Sequence, residues 1–130
     1  MAIVVLDASV VIAFLDAADT HHRGAVAAVA RLRSEDLVLP ASAYAEMLVG
    51  PARRGREALT AAREFVADLA LRVEPISAQI AERAAVLRAA HRGLRLPDAL
   101  VIATGDALDA MTVLTADRTW PRLSRRAQRI

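Results

Sequence analysis

The apolar positions change period along the chain in a regular alternation. Ala2 to Leu6 is an unbroken apolar run of the kind needed by a strand buried on both faces, and Asp7 ends it. Ser9 is placed to cap a helix from Val10 to about Leu15. From about Thr20 to Arg33 the spacing predicts a second helix, with Val26, Val29, Ala30 and Arg33 along one stripe. A short strand, Leu37–Leu39, ends at Pro40, and a helix opens at Ala41 or Ser42. That helix is expected to stop at Gly50-Pro51, before an Arg-rich loop containing Gly55. Ala62, Phe65, Val66 and Leu69 mark a helix over about Glu57 to Ala70. A weak strand, Arg72–Glu74, is closed by Pro75. Ser77 caps a helix to about Ala90, with Ile80, Ala84 and Leu87 on one face. Pro97 opens a helix to about Ala110, which leads into strand Met111–Leu114. Leu123 to Ile130 offers little apolar material for a closing strand.

Strands alternating with helices predict an α/β fold, a three-layer α/β/α sandwich with a central parallel sheet of four or five strands. No linker, repeat or low-complexity tract divides residues 1–130, so one domain is expected. Ala2 to Leu15 is the only stretch resembling a membrane or targeting element. Asp7 interrupts it, no basic residues precede it, and it falls short of the ~20 residues of a span. The expectation is a cytoplasmic protein with no membrane partner. The lack of cysteine excludes disulfides, thiolate chemistry and Cys-type zinc sites.

All 17 basic residues are arginine, which excludes Schiff-base and Walker A mechanisms that need a lysine. The net charge is only +2, so attraction to nucleic acid has to come from local patches. Two are visible. Arg53, Arg54 and Arg56 form one; Arg118, Arg122, Arg125, Arg126 and Arg129 form the other, with no acid among them in sequence. Guanidinium suits bidentate phosphate contacts, although a solubilising surface has the same composition.

Four acids carry the candidate chemistry. Asp7 and Asp117 fall at or just beyond the C-terminal ends of apolar strands, where open α/β sheets place their sites. A carboxylate at the end of a buried strand is costly unless paired or metal-bound. Asp117 also fits a turn or helix cap, Asp98 fits an N-cap beside Pro97, and Glu46 fits a solvated mid-helix position. The face of Glu46 is shared with Ala43, Met47 and Gly50, which favours an inward direction. Clustered, four such acids would repel one another unless a cation or a proton held them together. Ser9 and Thr115 lie two residues from Asp7 and Asp117 and can bond a carboxylate or a water. His21-His22 reads as the solvated start of a helix, because adjacent residues do not share a helix face.

These residues together resemble the PIN-domain family. Leu6-Asp7-Ala8-Ser9-Val10-Val11-Ile12-Ala13 is similar to its opening, and Pro40-Ala41-Ser42-Ala43-Tyr44-Ala45-Glu46 to its second motif. Leu96-Pro97-Asp98-Ala99-Leu100-Val101-Ile102-Ala103 resembles the third, and Leu114-Thr115-Ala116-Asp117-Arg118-Thr119-Trp120 the fourth, with Trp120 where an aromatic commonly follows. The size and the Asp-Ala-Ser opening look most like VapC-type toxins. That resemblance implies an endoribonuclease dependent on one or two Mg²⁺ or Mn²⁺ ions, with Asp7, Glu46, Asp98 and Asp117 as the acidic quartet and Ser9 and Thr115 as supporting groups. It implies hydrolysis of RNA, leaving a 5′-phosphate and a 3′-hydroxyl.

The resemblance also implies a homodimer inhibited by a small antitoxin. With 55% hydrophobic residues, apolar surface on the early helices suits burial against a partner helix. A PIN nuclease of RNA processing outside any toxin pair is the nearest alternative. A haloacid-dehalogenase-like phosphatase would need an acid where Ser9 stands, and a receiver domain would need a late lysine.

Overall fold

The computed structural model describes residues 1–130. Five strands and six helices alternate: β1 (Ile3–Leu6), α1 (Ala8–Leu15), α2 (His22–Leu32), β2 (Asp36–Pro40), α3 (Ala41–Arg54), α4 (Arg56–Asp68), β3 (Arg72–Glu74), α5 (Ala78–Ala90), α6 (Leu96–Ala107), β4 (Thr112–Thr115) and β5 (Ala127–Arg129). All pairings are parallel, in the order β3-β2-β1-β4-β5. The chain steps one way from β1 to β3, returns across β1 to β4, then continues to β5. Right-handed crossovers place α1–α4 on one face and α5–α6 on the other. Helix packing agrees, with α1 against α2 and α3, α3 against α4, and α5 against α6.

The sheet interior is aliphatic. Val4, Val5, Leu6, Leu37, Val38, Leu39, Val113 and Leu114 are buried in one continuous core with Trp120. Burial of such side chains contributes about 1.5–3 kcal/mol each, which outweighs the weak propensity of four-residue strands. Gly105 is where α6 comes closest to the sheet. A Cβ there would overlap the Val113 side chain, so a larger residue would push helix and strand apart.

Four sequence expectations change. The stripe of α2 is rotated: Ala25, Ala28 and Val29 are buried, while Val26 and Ala30 are exposed. Packing close to the neighbouring elements selects alanine over valine on the inner side. The helix expected to stop at Gly50-Pro51 runs on to Arg54, with Pro51 inside it and buried. The missing N–H costs one helical bond, offset by apolar burial of the ring beside Met47. Gly55, with φ of 118°, ends the helix in a backbone region that disfavours other residues. Ser9 does not cap α1; the cap position is Asp7, and neither side chain caps the helix.

The fourth change is the closing strand, β5. Its Ala-Gln-Arg sequence has no apolar alternation, and register with β4 holds it (Val113 opposite Ala127, Thr115 opposite Arg129). Arg126 fastens its entry by donating to the carbonyl of Ala110 and to Asp109 at 2.8 Å, with Asp106 at 3.5 Å. Arg126 is therefore bound to acids and is not a free phosphate ligand, which splits the C-terminal arginine patch. Arg118, Arg122, Arg125 and Arg129 remain exposed.

Candidate metal centre

The strand order reverses between β1 and β4, and their C-terminal ends lie side by side there. Asp7 leaves β1 with its backbone N–H still donating to Leu114 O at 2.9 Å. Its carboxylate is therefore fixed beside the end of β4, only 7% exposed. Ser9 Oγ donates to Asp7 Oδ2 at 2.7 Å, and Thr115 Oγ1 donates to the same oxygen at 3.0 Å. Each hydroxyl is oriented in turn by a backbone amide: Ala116 N–H donates to Ser9 Oγ and Asp117 N–H to Thr115 Oγ1, both at 3.0 Å. The two supporting residues thus act on Asp7 directly. No protein donor reaches Oδ1, which leaves that oxygen for an outside ligand.

Asp98 is the third residue of α6 and not its N-cap, which is Arg95. Leu96 and Pro97 precede it inside the helix, so it lies in the first turn, where the helix dipole favours a carboxylate. Arg95 Nε is 3.6 Å from its Oδ2. Asp117 serves the turn that the sequence allowed for. Its Oδ1 accepts from Thr119 N at 2.7 Å and from Thr119 Oγ1 at 2.6 Å, and no protein donor reaches its other oxygen. Glu46 does not point into the core. It is exposed, and lines a cleft of about 490 Å³ with Ile12, Leu15, Asp16, Met47, Gly50, Pro51 and Arg54. The apolar face of α3 reaches the rim at this turn, which is why Met47 is buried while its neighbour is not.

Charge repulsion couples the four. Burial raises the Asp7 pKa to about 6, the two hydroxyl bonds oppose that rise, and the charges of Asp98 and Glu46 add to it. Glu46 is raised by burial and by Asp98, partly offset by Arg95. Asp98 is raised by burial, with Arg95 opposing and Asp117 adding. Asp98 is therefore the hub that feels or perturbs each of the others.

As they stand, no three acids or histidines surround a ready-made ion site. Mg²⁺ keeps several waters and needs only one or two direct carboxylates, so this oxygen-only, mutually repelling set fits a hydrated hard cation. His22 Nδ1 is hydrogen-bonded to Ala13 O at 2.8 Å.

A second cleft, about 460 Å³, opens beside the acids. Asp98 and Asp117 line it together with the loop residues His91, Arg92, Gly93 and Leu94 and with Thr119, Trp120 and Leu123. Sequence reading passed over His91, Arg92 and Arg95, because a short loop before a helix carries no periodic signal. No helix is long and apolar enough to cross a membrane.

A family model described as PIN domain matches residues 4–126. No curated protein matches the chain. Among solved structures, VapC20 of Mycobacterium tuberculosis, described as a sarcin–ricin loop cleaving toxin, is 22% identical with a TM-score of 0.72, over 92% of this chain and 93% of that one. VapBC2 of Rickettsia felis, solved bound to a promoter DNA fragment, is 14% identical with a TM-score of 0.79, covering 98% of both chains. FitAcB of Neisseria gonorrhoeae is 22% identical with a TM-score of 0.75, over 95% of this chain and 94% of that one. At these identities the structures share the fold.

Proposed function

The chain belongs to the PIN-domain family, and on that premise we propose that it is a metal-dependent endoribonuclease, the toxin of a toxin–antitoxin pair, folded as one domain. The observation that carries this reading is the electrostatic coupling of Asp7, Glu46, Asp98 and Asp117, in which Asp98 raises Asp7 and Glu46 and is itself raised by Asp117. Ser9 takes no part as an acid, which argues against the phosphatase pattern.

Asp7, Asp98, Asp117 and Glu46 would hold one or two Mg²⁺ or Mn²⁺ ions. Such an ion would supply charge neutralisation and would acidify a water at neutral pH. The protein supplies the rest. Ser9 and Thr115 hold Asp7 Oδ2 and so aim Oδ1 outward. Arg95, exposed at the rim, pairs with Asp98 and is free to turn to a substrate phosphate, as guanidinium geometry favours.

The test is cleavage of unstructured RNA. Activity is expected with Mg²⁺ or Mn²⁺, to vanish in EDTA and to return when metal is restored. Equal cleavage in EDTA would sink the reading.

The proposed antitoxin lies on the α1–α3 cleft, where Ile12 and Leu15 are 40% and 44% exposed. Such an apolar strip suits a partner helix. Solved structures of the same fold support this partner, since some of them are toxin–antitoxin complexes. A homodimer is proposed for the free chain, with light scattering as the check; a lone monomer at micromolar concentration would count against it.

A further inference from the structure

We propose that the cleft beside Asp98 and Asp117 receives one unpaired nucleobase of the RNA, adjacent to the phosphate that is cut. This rests on the nuclease reading and assigns the base-reading site within it. The cleft is about 460 Å³, inside the range of roughly 300–1,000 Å³ usual for small-molecule sites. Its lining mixes apolar side chains with a histidine, an arginine and two acids, which suits a group that has a flat apolar body and polar edges and is joined to a phosphate. A nucleobase is such a group, and RNA readers take unpaired bases by stacking and edge hydrogen bonds.

The lining matches that occupant. Leu94, Trp120 and Leu123 supply apolar surface, and His91 and Thr119 supply polar atoms for a base edge. Trp120 is 1% exposed, so it forms a fixed part of this wall. Arg92, in the lining, and Arg95, three residues on, are both exposed and can take the flanking phosphates. The cleft thus offers both halves of a nucleotide a partner: apolar wall and polar atoms for the base, arginines for the phosphate.

Gly93 gives a clean way to close the cleft. Nothing lies within 4 Å of the position a Cβ would take, and its backbone is not in the left-handed region, so a side chain can be added without strain. Trp120 is the only tryptophan, so its fluorescence reports from the cleft wall. The experiment titrates the full chain, in EDTA so that nothing is cut, with RNA tetramers differing at one base. Saturable quenching is expected, with affinities that differ between bases. In Gly93→Phe the quenching should weaken by about tenfold or more, with far-UV dichroism and melting unchanged. With Mn²⁺ restored, the same variant should lose the wild-type choice of cut site. His91→Ala is expected to change the ranking of bases.

Wild-type cleavage that persists in Gly93→Phe with the same pattern, with no base-dependent quenching, would overturn the base site and leave the nuclease reading standing. Base-dependent quenching with no metal-dependent cleavage would do the reverse. Quenching by an arginine-containing peptide but not by RNA would assign the cleft to a protein partner and overturn the proposal.

Discussion

Asp7→Asn is expected to abolish RNA cleavage while making the metal-free protein more stable at pH 8. Losing a partner one shell removed from a metal typically costs 10–100-fold, so losing a direct ligand should cost at least about a hundredfold. The stability change has the opposite sign. Asp7 titrates near 3.8 when unfolded and at about 6 in the fold, chiefly because burial disfavours the charged form. Below 3.8 both states hold the proton and burial carries no charge penalty. As pH rises through about 6 the folded state must ionise a buried group, and the stability is lost. The gap corresponds to about 3 kcal/mol.

Asparagine carries no charge and its amide oxygen can still accept from Ser9 and Thr115. A gain of about 1–3 kcal/mol at pH 8, or about 5–10 °C in melting temperature, is expected. The gain should disappear below about pH 4. Mn²⁺ should stabilise the wild type at pH 8 and leave the variant unchanged. Equal melting of the two proteins at pH 8, or near-wild-type cleavage by Asp7→Asn, would remove the metal assignment.

Asp98→Asn is expected to lose activity by a similar factor, about a hundredfold or more, with little net change in stability. Its environment differs from that of Asp7. The side chain is 19% exposed and has Arg95 beside it. Placement in the first turn of α6 favours its charge by about 0.3–1 kcal/mol, which offsets the repulsion relieved when the charge is removed. The distinguishing readout is on its neighbours. Without the Asp98 charge, Asp7 and Glu46 should each ionise at lower pH, visible in carboxyl NMR titrations. If the titrations of Asp7 and Glu46 did not move, the four acids would not be one electrostatic unit. Glu46→Gln should show a weaker effect on cleavage, since that residue faces a cleft open to solvent.

The acids at strand ends were readable because the flanking runs are uniformly apolar, so a single Asp marks the edge of the sheet. Glu46 was placed correctly in its helix but not in its direction. Whether a mid-helix residue faces core or rim depends on where the helix crosses the sheet edge, which periodicity alone does not say. Pro51 shows a local stop signal overridden by packing, since its ring fills core beside Met47. β5 left no trace because a three-residue edge strand is held by backbone pairing and by Arg126, neither of which has an apolar signature. Ser9 misled in a different way. The residue type that caps helices is also the type that bonds a carboxylate, and only the position of Thr115 across the sheet decides between them. The base cleft has no sequence signal beyond a histidine and arginines in a loop.

The first strand lies in the middle of the sheet and its partner β4 begins at Thr112. During synthesis, β1 can pair with β2 once some forty residues have emerged, but Thr115 and Asp117 arrive only with the end of the chain. Until then Asp7 has one hydroxyl partner in place of two and lacks its neighbours Asp98 and Asp117. Domains acquire structure from the N-terminus onward as they leave the ribosome, so a nascent chain carries the early helices and their apolar strip well before it carries a competent cutting edge. A partner that reads α1 and α3 can therefore engage the chain before its four acids are all in place.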